Sequence, residues 1–173
     1  LVFRNGVLYA GSGEKGVIYR IPADGKGVPW VDTDEVHVVA LAFATNGDLI
    51  AGTDPNSLVL RIGADGKPFA ILDTPLQETH SFSIAPDGTM YALAIAASAA
   101  TTSADQGGVS VVESNTTTAS RLDIANAGTA TVPSRRDVDD AKSAVFRIPP
   151  DGSTDVVWSS KSVVGYSILV DGS

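Results

Sequence analysis

Three octets in this chain are near-copies of one another: YRIPADGK from Tyr19, LRIGADGK from Leu60 and FRIPPDGS from Phe146. Arg20 and Arg61 stand 41 residues apart, as do Asp24 and Asp65, and Asp32 and Asp73. Gly6, Gly47 and Gly88 keep the same step in a second signature, NGVLYAG, NGDLIAG and DGTMYAL. An internal period of about 40 residues means that each unit is one supersecondary element, whose apolar faces are buried by stacking on its neighbours. Asn-Gly and Asp-Gly readily supply the positive φ angles of tight hairpin turns. Apolar runs separated by such turns read as antiparallel strands, and the chain as all-β.

Within one period the strands can be followed in order. VVALAFA (Val38 to Ala44) is a continuous apolar run, expected of a strand covered on both faces. TNGD turns the chain into LIAGT, DPNS leads to LVLRI, ADGK turns into PFAIL, and SFSIA opens the next unit. Four short antiparallel strands per period of this length are the pattern of a β-propeller blade. The units cover about 5–45, 46–86 and 87–173 of one propeller segment. The third octet breaks step, because Arg61 to Arg147 is 86 residues. The excess is a long Ala/Ser/Thr-rich insertion over about 97–142, between the second and third strands of the third blade. Its end, DVDDAK, is expected to form a helical turn.

The motifs RI-x-ADGK, FSIAPDGTMYAL (Phe82 to Leu93) and FATNGDLIAGT (Phe43 to Thr53) carry a resemblance to bacterial repeat propellers. The group is broad and contains NHL-type, SMP-30-like and streptogramin-lyase-like propellers. The motifs cover nearly the whole chain outside the insertion and speak for architecture rather than activity, since propellers host enzymes, lectins and passive scaffolds alike. The resemblance implies a functional face. The loops joining second to third strands share it with the loops joining blade to blade, and the insertion stands over it. Those loops carry Glu14, Asp34, Glu35, Asp54, Asn56, Gln77, His80 and Lys161 as candidates for contact with a ligand or partner.

His80, at the start of an innermost strand, has Glu78 two residues before it, and the two are the candidates for acid–base catalysis. Asp34, Glu35, Asp54, Glu78 and His80 are a candidate set for a divalent cation such as calcium, although no dense run of the DxDxDG kind is present. The sequence contains no G-x-S-x-G, HExxH or P-loop motif. The repeated arginines Arg20, Arg61 and Arg147 read as structural, each with its stem packed and its head paired with a nearby carboxylate or carbonyl.

Charge and composition narrow the partners. There are 12 Lys and Arg against 20 Asp and Glu, a net charge of -8, which argues against nucleic acid and against an anionic membrane surface. The most membrane-like stretch, MYALAIAASAA, has 11 residues against about 20 for a spanning helix, so no membrane insertion is expected. Absence of cysteine excludes disulfides and thiolate chemistry. The compartment is not fixed, with a periplasmic or secreted location preferred. The chain opens at Leu1 without Met or a signal peptide, which suggests processing or excision.

The strand count also predicts assembly. The chain reads as opening on the second strand of one blade, after RNG, and closing on the innermost strand of another, YSILV. Propellers typically have 4 to 8 blades, so three form a partial propeller or half of a six-bladed ring. The expected partner is a second copy, as a homodimer closing the ring, or further blades of a larger assembly. The function expected is a non-catalytic binding or protein-assembly module. The alternative is a propeller enzyme, a lyase or lactone hydrolase with a divalent ion.

Overall fold

A computed structural model of the chain describes residues 1–96 and 138–171. Their strands are β1 (Val2–Arg4), β2 (Val7–Gly11), β3 (Val17–Ile21), β4 (Val28–Asp32), β5 (His37–Phe43), β6 (Leu49–Asp54), β7 (Leu58–Ile62), β8 (Pro68–Asp73), β9 (Glu78–Ile84), β10 (Met90–Ile95), β11 (Ser143–Ile148) and β12 (Asp155–Ser160). They form three four-stranded sheets, each of consecutive strands paired with their sequence neighbours. Every pairing is antiparallel. The all-β expectation therefore holds among the described residues. None of the three sheets closes into a ring. No helix among the described residues is long and apolar enough to cross a membrane.

One expectation needs correction. The chain does not open on the second strand of its first sheet, because β1 pairs with β2 through Phe3↔Leu8. Asn5 (φ 50°) and Gly6 (φ 79°) make a two-residue turn with both central residues left-handed, and this lets Arg4 and Val7 pair directly.

The period-two alternation of a strand explains the stacking. In β6, Leu49 and Ala51 join a core with Ile18 and Val31 of the first sheet, while Ile50 joins a core with Ala92 and Phe146 of the third. In β7, Leu60 and Ile62 face the first of these cores and Val59 the second. The middle sheet is thus apolar on both faces, as the unbroken apolar runs required. The ladders repeat in their irregularities too: bulges fall between Ile18 and Tyr19, between Val59 and Leu60, and between Val145 and Phe146.

Each sheet meets the next through one close contact. A Cβ on Gly11 would lie 2.5 Å from the carbonyl oxygen of Val38, and one on Gly52 would lie 2.4 Å from that of Thr79. Moving one repeat further exchanges the partners. Leu93 takes the place of the glycine, and Gly165 takes the place of Thr79, with its Cβ position 3.0 Å from Leu93 Cδ1. The polar contacts follow the same substitution. Ser57 Oγ is 3.1 Å from Thr79 Oγ1 in one junction, whereas in the next Gly165 N donates to Ser143 Oγ at 3.2 Å. The segment after β12 therefore lies on the third sheet much as β9 lies on the second. Val170 N donates to Ser83 Oγ at 2.8 Å. The segment from Val163 to Val170 pairs with no strand among the described residues.

Residues 97–137 of the expected insertion lie outside the described residues. Its last residues do not stand clear of the fold as a loop. Val138 and Ala141 are buried in the core between the second and third sheets, and Ala141 N donates to Val138 O at 2.9 Å in a single turn.

Candidate functional site

The β-ladders sort the loops onto two ends of the sheets. The Asn-Gly and Asp-Gly turns share one end. The sheet-to-sheet loops and the connections from second to third strands share the other, where Ile95 pairs with Ser143 beside the insertion. This second end is the expected site, and its candidate residues meet in pairs. Asn56 Nδ2 donates to Glu35 Oε2 at 2.8 Å, joining two loops 21 residues apart in sequence. Gln77 Nε2 donates to Asp54 Oδ1 at 3.1 Å. His80 Nδ1 lies 2.5 Å from Glu78 Oε1. That contact forms at a β-bulge: Thr79 pairs with Ala94 and Ser81 with Leu93, which leaves His80 as the extra residue of β9. The Tyr166 ring lies edge-on to His80 with centroids 6.2 Å apart.

Other candidates stand apart. Lys161 Nζ pairs with Asp140 Oδ2 at 3.2 Å, both of them exposed. Asp34 has a left-handed backbone (φ 60°) and its N–H donates to Asp32 Oδ1 at 3.1 Å. Glu14 is exposed in its loop, where its carbonyl accepts from Ser12 Oγ at 2.8 Å. Among the described residues no three His, Asp or Glu side chains converge as a ligand set, so Asp34, Glu35, Asp54, Glu78 and His80 are not drawn together as one group. The physical reason is pairing: Glu35, Asp54 and Glu78 are each turned toward a different neighbour.

Sequence reasoning passed over His37. Its Nε2 lies 3.8 Å from Asp54 Oδ2, and among the described residues its buried Nδ1 has no hydrogen-bond partner. The signal was available, since His37 opens β5 and His80 is the third residue of β9, two places further along the repeat. What the arrangement offers chemically is a carboxylate–imidazole pair, Glu78 and His80, at the mouth of β9. The carboxylate holds the ring in place, while no nucleophile motif accompanies the pair.

The opposite, turn-bearing end differs in charge pairing. Arg147 Nη2 donates to Asp155 Oδ2 at 2.6 Å, and this bond holds its guanidinium pKa above the ordinary value. Arg61 Nε is 3.2 Å from Asp48 Oδ2, an ion pair outside hydrogen-bond alignment. These two arginines have the structural pairing expected of them. Arg20 does not share it; its guanidinium lies over the rings of Tyr9 and Trp30. In the turns, Asp87 and Asp151 are held below the usual carboxylate range by the backbone N–H groups of Thr89 and Ser153. No family model, curated protein or solved structure matches the chain.

Proposed function

We propose that the chain is an arc of three β-propeller blades and serves as a non-catalytic binding and assembly module. The reading agrees with its resemblance to the NHL-type, SMP-30-like and streptogramin-lyase-like propellers. The observation that carries it is the junction repeated three times: Gly11 against Val38, Gly52 against Thr79, and Gly165 against Leu93. A unit that stacks on its neighbour by one rule, and is followed by a segment obeying the same rule, is an element of a series. The segment from Val163 to Val170 is then the first strand of a fourth blade, whose remaining strands come from a second copy or from further blades.

Exposure supports the same assignment. Leu1 and Phe3 stand out at one end of the arc, and Tyr166 and Leu169 at the other. Apolar residues gathered on such surfaces mark contacts with other protein. The paired residues Glu35–Asn56, Asp54–Gln77 and Glu78–His80 form the face open to a ligand or partner.

Light scattering tests the reading. The chain is expected to run as a multiple of its 17.8 kDa mass. A well-folded particle that stays at 17.8 kDa at every concentration tried contradicts it.

One observation favours a second reading, a lyase or lactone hydrolase: the 2.5 Å contact of His80 with Glu78. Metal analysis with chelation separates the two. A tightly held divalent ion whose removal lowers the melting temperature supports the enzyme, because only a ligand bound to the folded state stabilises it.

A further inference from the structure

The turn-bearing end holds two clefts in equivalent places of the repeat. One, of about 260 Å³, lies between the second and third sheets beside Arg61, Ile71 and Met90. The other, of about 290 Å³, lies between the first and second sheets and is lined by Arg4, Asn5, Tyr9, Arg20, Trp30 and Phe43. The 41-residue step compares them position by position. Tyr9, Trp30 and Phe43 stand where the following unit has Ile50, Ile71 and Ile84, and Arg4 stands where it has Thr45. Isoleucine satisfies the stacking in the second cleft, so three rings and an added cation in the first are not demands of the architecture.

The rings meet edge to face, Tyr9 with Trp30 at 5.5 Å and Tyr9 with Phe43 at 5.2 Å. Two guanidinium groups lie over them. Arg4 is 4.8 Å from the centroid of Phe43, and Arg20 is 5.4 Å from that of Trp30. Neither is among the ion pairs of the described residues. The repeat explains why Arg20 lacks one. Asp48, the partner of Arg61, is replaced in the first unit by Val7, and Asp155, the partner of Arg147, is replaced by Val28. Val28 sits across from Arg20 as Asp155 sits across from Arg147. In a chain of net charge -8 with 20 carboxylate side chains, both positions that would neutralise Arg20 are apolar.

We propose that this cleft binds a small aromatic carboxylate. A guanidinium stacked on a ring keeps its N–H donors in its own plane, where a carboxylate accepts two of them. The parts of Tyr9, Trp30 and Phe43 that line the cleft beside the two guanidinium groups offer contact to a flat apolar body. The volume lies at the low end for ligand pockets and suits a molecule of one ring. This site is at the opposite end of the sheets from the Glu78–His80 face and does not depend on blade number.

Benzoate is the probe, and nitrogen-15 NMR of the two indole groups is the readout, with Trp158 as the internal reference. Benzoate is expected to shift the Trp30 indole resonance saturably, with a dissociation constant on the order of millimolar or tighter. Neutral benzamide, of the same shape, is expected to bind about tenfold more weakly or worse, as loss of a charge-assisted bond predicts. Arg20→Gln should weaken benzoate by about tenfold or more on the same grounds, while Arg61→Gln in the sister cleft leaves it unchanged. Three results overturn the proposal: no saturable shift, equal binding of benzamide, or an Arg20→Gln protein that binds like the parent. If Arg20→Gln fails to fold by its spectrum, Arg4→Gln is read by the same criteria.

Discussion

Replacing Gly52 with leucine is expected to break the junction between the second and third sheets. The new Cβ would meet Thr79 O at 2.4 Å, and the Thr79 side chain stands 2.9 Å away. A backbone oxygen inside a ladder cannot swing aside, so one sheet must shift away from the other. Overpacking of this kind costs about 3 kcal/mol or more when backbone has to move. Against a total stability of roughly 5–15 kcal/mol for a domain, the expected result is a urea midpoint far below that of the parent, or no folded protein. Adding Thr79→Gly should restore about 1 kcal/mol of coupling between the contacting sites. The chain already tolerates leucine opposite glycine at Leu93 and Gly165. An unchanged midpoint for Gly52→Leu would remove the evidence that the three junctions follow one rule.

Leu169→Asp is expected to dissociate the proposed assembly without disturbing the chain's own fold. Leu169 is 88% exposed, so the substitution meets no core of its own sheet. If the segment is instead covered by further strands, aspartate loses about 2 kcal/mol of apolar burial and adds the cost of an enclosed charge. Association should weaken by about a hundredfold or more, at tenfold per 1.4 kcal/mol. Light scattering reads the change directly. Phe69→Asp is the control, since Phe69 is also exposed but lies on β8, at the outer edge of the middle sheet. Equal masses for Leu169→Asp and the parent would count against Val163 to Val170 as the place of assembly.

Much of this architecture was legible because its causes are local. Glycine in Asn-Gly and Asp-Gly marked the hairpins, and apolar runs such as Val38 to Ala44 marked strands covered on both faces. Glu78 and His80 could be named as candidates from their nearness in sequence, but their contact could not be read there, because it depends on the bulge that leaves His80 unpaired in β9. What failed required knowing which residues face one another. The expected convergence of five acidic and imidazole groups dissolved into separate pairs, because each loop has its own neighbour and Asp34 takes a left-handed backbone. The loss of a carboxylate from Arg20 is written at Val7 and Val28, but reading it needs the cross-strand register. Val138 and Ala141, inside a stretch of insertion-like composition, gave no local sign that they belong to the core.

The reversal at Leu93 and Gly165 bears on how such a chain finds its native order. Near-identical units are prone to dock out of sequence while folding, since each apolar face is a plausible match for several others. Here the faces are not equivalent. A strand bearing Val38 or Thr79 meets leucine instead of glycine if it lands on β10, and collides with it. The glycine-bearing segment, landing on Gly11 or Gly52, leaves a void with no atoms to fill it. One exchanged pair of side chains thus penalises both misplacements and gives a quasi-periodic molecule a sense of position along its own length.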